Sequence, residues 1–121
     1  MNRTARHELA ERTFAARHIR TPARWVRAST TSPFDLLVLR PDGRGLRATF
    51  VEIKTARGRR SSDLSEAEAE FGRFAELHGS AYVIARYQVN GHTVTAEQLY
   101  RPFAEPENQP AEVELRFEVS K

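Results

Sequence analysis

The sequence predicts a single domain of the α/β or α+β class, built on one central β-sheet. Several segments are continuously apolar or alternate between apolar and polar residues, as strands do, and two others repeat apolar residues at helical spacing. The 121 residues suit one core, and 40% hydrophobic with 9% aromatic residues indicates a folded chain rather than a disordered one. The predicted order is αβββαβββ, with a core over about residues 5–99 and a tail over 100–121.

The first predicted helix covers residues 5–18, where Leu9 and Phe14 lie on an apolar face between charged residues. Pro22 breaks this pattern, because proline has no N–H to donate and its ring clashes with the preceding helical turn. Residues 24–29 are then predicted to form the first strand.

The next two strands are predicted to form a hairpin over residues 34–55. Residues 34–40 are almost continuously apolar, which favours a strand buried on both faces. A Pro-Asp-Gly turn at 41–43 follows, since glycine can take the positive φ that tight turns require. Residues 46–55 return as the third strand.

The second helix is predicted to begin at Ser65, because Ser65 and Glu68 have the spacing of a capping box and apolar residues then recur every three or four positions. Gly79 is suited to end it. Residues 81–89 are rich in β-branched and aromatic residues, and the Asn-Gly pair that follows is a strong hairpin signal. Residues 92–95 are the predicted partner strand.

Composition excludes several classes of function. Without cysteine the chain has no disulfide, zinc knuckle, iron–sulfur cluster or thiol nucleophile. No apolar stretch approaches the length of a membrane span or of a signal peptide, so we expect a cytoplasmic protein without membrane contact. The formal net charge is +3, but residues 1–60 hold thirteen arginines and one lysine against five acidic residues. This asymmetry suggests a nucleic-acid partner, although a solvated basic surface is the alternative.

Three charged residues stand where apolar residues are expected. Glu52 and Lys54 are two positions apart on the third strand, so their side chains leave the same face of the sheet. Asp35 interrupts the apolar second strand, and the hairpin would bring it beside them. Buried charges cost free energy unless they are paired or bind a metal. Lys54 is also one of only two lysines beside seventeen arginines, the other being Lys121.

Two carboxylates and a lysine at one end of the sheet suit a hard divalent cation. Mg²⁺ takes one or two protein carboxylates and completes its coordination with water and substrate phosphate. A lysine beside the ion can orient or deprotonate the attacking water, because it is compact and its pKa falls on burial, whereas arginine stays protonated. An ion pair of Glu52 with Lys54 on a half-exposed strand is the alternative interpretation.

Asp35, sixteen intervening residues and then Glu52-Ile53-Lys54 resemble the motif of the PD-(D/E)xK nuclease superfamily, with Pro33 one position early. The basic loop, the capped helix and the strand that follow are similar to its NO VEIN C-terminal-type branch. The Mrr-like restriction endonucleases and the archaeal Holliday-junction resolvases are similar at lower resolution. The resemblance covers about residues 8–89.

The resemblance implies a restriction-endonuclease-like fold, with a mixed central sheet flanked by helices, and cleavage of phosphodiester bonds that depends on Mg²⁺ or Mn²⁺. Asp35 and Glu52 would then be metal ligands and catalytic residues, with the carbonyl oxygen of Ile53 as a third ligand. Lys54 would be the catalytic lysine.

Further residues are assigned around this motif. Many members of the superfamily add a catalytic glutamate from the first helix, and here we favour Glu8, while Glu11 lies on the same helix face and stays open. Basic residues that directly follow the lysine are predicted to contact phosphate, and these are Arg57, Arg59 and Arg60. Ser65 and Glu68 are expected to be structural. Because the histidines lack metal-ligand spacing, we expect them at the surface: His7, His18, His78 and His92.

The predicted function is a metal-dependent endonuclease that hydrolyses DNA phosphodiester bonds and acts as a homodimer. Residues 113–119 alternate in the pattern of a last amphipathic strand and are a candidate dimer interface. The main alternative is a catalytically inert nuclease-fold module that binds nucleic acid or a partner protein. A Holliday-junction resolvase and an RNA-directed nuclease are further alternatives.

Overall fold

Residues 3–56 and 64–105 are described by a computed structural model, in which two helices and five strands follow one another in the predicted order. The elements are α1 (Arg3–His18), β1 (Arg24–Arg27), β2 (Leu36–Asp42), β3 (Gly45–Ala56), α2 (Glu66–Leu77), β4 (Ala81–Asn90) and β5 (Thr93–Tyr100). The predicted strand at 113–119 lies outside the described residues. Within the described ranges, neither helix is long and apolar enough to span a bilayer.

The five strands form one sheet in the order β1-β2-β3-β4-β5. Neighbouring strands are antiparallel except β3 and β4, which are parallel because α2 carries the chain back between them. The prediction of a mixed sheet with flanking helices is therefore confirmed, and the class is α+β. Both hairpins turn at glycines in the left-handed region, Gly43 with φ of 63° and Gly91 with φ of 64°.

The sheet separates two apolar clusters, and the two helices cover opposite faces. Along β4, Val83 belongs to the cluster that contains Phe14 of α1, whereas the next residue, Ile84, belongs to the cluster on the side of α2. Successive strand residues point to opposite faces. Glu52 is the partner of Ile84 in the parallel ladder, so Glu52 and Lys54 leave the sheet on the α2 side.

The second strand begins at Leu36, two residues later than predicted. Asp35, the residue before it, contacts β3 once through its backbone and once through its side chain. The Asp35 N–H donates to the carbonyl oxygen of Val51 at 2.8 Å. The Ile53 N–H, in contrast, donates to Asp35 Oδ2 at 2.7 Å. Burial of β2 also differs from the prediction, because its buried residues alternate with partly exposed ones. The strand is therefore buried on one face only.

Gly72 lies on the buried side of α2, where an added Cβ would stand 2.6 Å from a ring carbon of Phe103 and 2.8 Å from one of Tyr82. Gly72→Ala is expected to lower the free energy of unfolding by about 1–3 kcal/mol, because both rings must move to admit the methyl group. Denaturant unfolding measures this change. Gly45→Ala is the control, since the nearest atom would be 4.0 Å from its Cβ. An equal effect in both variants would contradict the packing explanation.

Candidate active site

The structure places Asp35 one residue before β2, beside the part of β3 that carries Glu52 and Lys54. The hydrogen bond from the Ile53 N–H, 2.7 Å long, fixes Asp35 Oδ2 against the residue that separates Glu52 from Lys54. The other carboxylate oxygen, Oδ1, faces α1 and lies 3.3 Å from His7 Nε2. Asp35 therefore joins the two faces of the site.

On the α2 side of the sheet, Lys54 lies between two carboxyl groups. Its Nζ is 3.3 Å from Glu52 Oε2 and 3.2 Å from Glu68 Oε1. Glu68 also completes the capping box of α2, because it accepts from the Ser65 N–H while Ser65 Oγ accepts from the Glu68 N–H. The predicted capping role is confirmed. The structure adds a contact that the sequence did not indicate, since Glu68 also holds the lysine.

Glu52 is almost completely buried, with 6% of its surface exposed. Burial raises the pKa of Glu52 to about 9, and the nearby carboxylates of Asp35 and Glu68 act in the same direction while Lys54 opposes them. A carboxyl group with this environment holds its proton at neutral pH, even beside Lys54, when no metal ion is bound. Strongly perturbed carboxyl groups of this kind are concentrated in functional sites.

Lys54 is a cation at neutral pH. Burial disfavours its ammonium form, but the carboxyl groups of Glu52 and Glu68 outweigh burial and raise the pKa of Lys54. Of these two partners, Glu68 is the one that stays ionised. Burial acts against the charge of Glu68, but the hydrogen bond from the Ser65 N–H and the contacts with Glu52 and Lys54 lower its pKa. Lys54 can therefore donate hydrogen bonds and stabilise negative charge, whereas it is a poor base.

On the α1 side of the sheet, Asp35 meets two residues of the first helix. His7 Nε2 is 3.3 Å from Glu11 Oε2 and 3.3 Å from Asp35 Oδ1. One potential ligand atom from each residue lies within 4.8 Å of the other two. The second oxygen of Glu11, Oε1, accepts from Arg27 Nε at 2.6 Å, which fixes the orientation of the carboxylate.

Glu11, rather than Glu8, is the glutamate that α1 brings to the site. Glu11 is 3% exposed and belongs to the buried side of the helix with Ala10 and Phe14, whereas Glu8 is exposed. The two glutamates are three positions apart, which is about 60° around a helix. The packing of α1 on the sheet, rather than the spacing of the glutamates, decides between them.

The expectation that the histidines lie at the surface is wrong for two of them. His7 is partly buried, with 33% of its side chain exposed, and contacts both carboxylates of the α1 side. His18 is 4% exposed and its Nε2 lies 2.9 Å from Glu97 Oε2. The signal for His7 was present in the sequence, because it stands four residues before Glu11 and therefore shares a helix face with it.

The catalytic and metal-binding roles assigned to Asp35, Glu52, Lys54 and Ile53 stay predictions. Ile53 contributes its N–H to Asp35, and its side chain packs in the cluster on the α1 side. The role of its carbonyl oxygen as a metal ligand stays a prediction. The three arginines predicted to contact phosphate lie outside the described residues: Arg57, Arg59 and Arg60.

No protein-family model and no curated protein matches the chain. Among solved structures, the chain is similar to Hjc, a Holliday junction resolvase from the archaeal hyperthermophile Archaeoglobus fulgidus. The identity is 21%, the match covers 83% of this chain and 74% of that one, and the TM-score is 0.47.

The side chains of the α1 side fit a divalent cation. Asp35 and Glu11 each have one oxygen anchored by an N–H donor, from Ile53 and Arg27 respectively, and their other oxygens both lie 3.3 Å from His7 Nε2. Carboxylate oxygens held in this way are the ligands that hard divalent cations prefer, and the anchoring donors lower the cost of ordering them. Among the described residues, this group of potential ligands does not include Glu52, the predicted metal ligand. Glu52 and Lys54 leave the sheet on the α2 side, where Glu52 interacts electrostatically with Asp35 and Lys54 with His7.

Proposed function

We propose that the protein is a metal-dependent endonuclease that hydrolyses DNA phosphodiester bonds. The proposal rests on one observation, the burial of Glu52 beside Lys54. Both residues lie at the end of the sheet where Asp35 also lies. A carboxyl group with a raised pKa at this position costs stability, so a functional role is the better explanation for it. The resemblance of these three residues to the PD-(D/E)xK motif supports phosphodiester chemistry.

Asp35 and Glu11 would hold the cation, and Glu52, on the α2 side of the sheet, would add negative charge close to Asp35. Mg²⁺ or Mn²⁺ bound there supplies positive charge beside the scissile phosphate and lowers the pKa of water. Lys54 stays protonated, so its role is to orient the attacking water and to donate hydrogen bonds to the phosphate as negative charge develops. Glu68 holds the ammonium group in position for this role.

The surroundings of Lys54 support a nucleic-acid substrate. An open pocket of about 330 Å³ is lined by Lys54, Arg86, Tyr100 and Phe103 among others. Cationic and aromatic side chains in one groove suit phosphates and stacked bases. The excess of arginine in residues 1–60 adds a favourable long-range field for a polyanion.

The proposal is tested by incubating the protein with supercoiled plasmid, a four-way DNA junction and single-stranded RNA, each with Mg²⁺, with Mn²⁺ and with EDTA. We expect cleavage of DNA in both metals and none in EDTA. Tight DNA binding without cleavage in either metal would contradict the proposal and favour the inert binding module. Cleavage of RNA alone would assign the site to a different substrate.

Glu11→Gln and Glu8→Gln form a matched pair that tests the ligand from α1. Glu11→Gln is expected to weaken Mg²⁺ binding and the cleavage rate by roughly 10- to 100-fold, because a neutral amide replaces an anchored carboxylate. Glu8→Gln removes the same charge from an exposed position of the same helix and is expected to leave both quantities unchanged. Calorimetric titration with Mg²⁺ and initial cleavage rates measure the two effects. Equal losses in both variants would show a general effect of charge instead of ligation.

A further inference from the structure

We propose that His7 is a ligand of the bound cation and that the site consequently prefers a first-row transition ion over Mg²⁺. This inference rests on the proposed function, in which a divalent cation lies between Asp35 and Glu11. His7 would add one nitrogen donor to the oxygen donors of Asp35 and Glu11. It therefore changes the class of ion that the site selects.

The three donor atoms are spaced as ligands of a single ion. His7 Nε2 lies 3.3 Å from Glu11 Oε2 and 3.3 Å from Asp35 Oδ1, and all three atoms lie within 4.8 Å of one another. Neighbouring ligands about 2.1 Å from an octahedral ion lie about 3 Å apart. His7 and Glu11 are four residues apart in α1, so the helix itself holds the nitrogen and one oxygen on the same face.

Both carboxylates are oriented by donors outside the cluster. Charged side chains that only happen to lie close together need no such donors. Arg27 Nε holds Glu11 Oε1 at 2.6 Å, and the Ile53 N–H holds Asp35 Oδ2 at 2.7 Å. Each carboxylate is thus left with one oxygen directed at His7. Anchoring of this kind is the usual arrangement behind the ligands of a metal site. Glu11 is almost completely buried, and burial keeps its free oxygen in this direction.

The identity of the donors decides the class of ion. Imidazole nitrogen is an ordinary ligand of first-row transition ions, whereas Mg²⁺ is held chiefly by carboxylate, carbonyl and water oxygen. One nitrogen with two carboxylate oxygens therefore favours an ion such as Mn²⁺ or Co²⁺. The His7 side chain is 33% exposed, so ion and substrate can reach this side of the cluster. The competing explanation is that His7 only neutralises the two carboxylates as a cation.

Mn²⁺ is the probe that separates these explanations, because electron spin echo envelope modulation of bound Mn²⁺ detects a directly coordinated ¹⁴N nucleus. The spectra are recorded without DNA for the wild type, for His7→Gln and for the control His92→Gln, which changes an exposed histidine in the β4–β5 turn. We expect ¹⁴N modulation in the wild type and the control and its loss in His7→Gln. The Kd for Mn²⁺ should weaken by roughly 10- to 100-fold in His7→Gln, with a smaller change for Mg²⁺. Thermal melts in EDTA check that His7→Gln is folded.

The outcomes separate this inference from the proposed function. Spectra without ¹⁴N modulation in the wild type, or absence of Mn²⁺ binding, would overturn the role of His7 as a ligand. Equal weakening of Mn²⁺ and Mg²⁺ binding in His7→Gln would overturn the preference for a transition ion. DNA cleavage in Mg²⁺ could still be present in those cases, and the proposed function would stand. Nitrogen coordination of Mn²⁺ without cleavage of any nucleic acid would support the metal site and overturn the nuclease.

Discussion

Replacing Lys54 by alanine is expected to reduce the rate of DNA cleavage by roughly 100- to 1,000-fold, the usual cost of removing a donor that stabilises developing charge. The ammonium group stands 3.2 Å from Glu68 and 3.3 Å from Glu52, and its raised pKa keeps it charged. The substitution leaves the oxygens of Asp35 and Glu11 in place. Single-turnover cleavage of a labelled duplex measures the rate, and calorimetric titration should show metal binding close to that of the wild type.

Lys54→Arg separates the effect of the positive charge from the effect of side-chain shape. Arginine keeps the positive charge, but its guanidinium is a broad planar fork, whereas the ammonium of lysine is compact. The Lys54 side chain is 16% exposed and lies between two carboxyl groups, so the fork cannot place a donor where the ammonium stands. We expect cleavage to stay well below that of the wild type. Full activity in Lys54→Arg would mean that only charge matters at this position.

Glu52→Gln is expected to make the protein more stable and less active. Burial raises the pKa of Glu52 to about 9 in the folded state, from 4.5 for an unperturbed group. Between these values the folded protein binds more protons than the unfolded chain, so the contribution of Glu52 to stability falls as the pH rises. Glutamine does not titrate. The gain in Tm should therefore grow from a small value near pH 5 to about 5 °C or more near pH 8.5.

The same variant should lose most of its cleavage activity, because an amide cannot supply the negative charge that a carboxylate places next to a cation.

Glu97→Gln is a control for which we expect the opposite change in stability. Burial acts against ionisation of Glu97, but hydrogen bonds with His18 and Tyr87 outweigh burial and lower its pKa. Ionised Glu97 thus stabilises the fold above its unfolded pKa, and this contribution is lost as the pH falls.

Thermal melts in EDTA over a range of pH give both results. Glu97→Gln should have a lower Tm at neutral pH, whereas Glu52→Gln should have a higher one. A Tm difference for Glu52→Gln that does not change with pH would show that the folded state ionises Glu52 as readily as the unfolded chain. The stability cost argued for this residue would then be absent.

The part of the site carried by strands could be predicted from local rules. The two-residue alternation of a strand assigns Glu52 and Lys54 to one face, and the turn at Gly43 sets the register of β2 against β3. Once that register is set, Asp35 must lie near the residues that follow Val51. These features depend only on neighbours along the chain or across one hairpin.

The part carried by helices could not be predicted in the same way. The buried side of α1 contains the polar residues Glu11 and His18 beside Ala10 and Phe14. The spacing of apolar residues alone therefore could not show which polar residues of the helix are buried. A rotation of about 60° exchanges Glu8 for Glu11, which is within the width of an apolar stripe. The contact between Glu68 and Lys54 depends on where α2 begins after the parallel crossover, and this is a property of tertiary packing.

Glu68 has two roles, in the capping box of α2 and in the contact with Lys54. The response of the site to temperature therefore depends on the N-terminal end of α2. One carboxylate completes the first turn of α2 and also aligns the lysine, so both contacts are lost together when that turn frays. Helix ends open at far lower free energy than the central strands of a sheet. The lysine therefore loses its alignment while the sheet is still intact, and heat should inactivate the protein before it unfolds it.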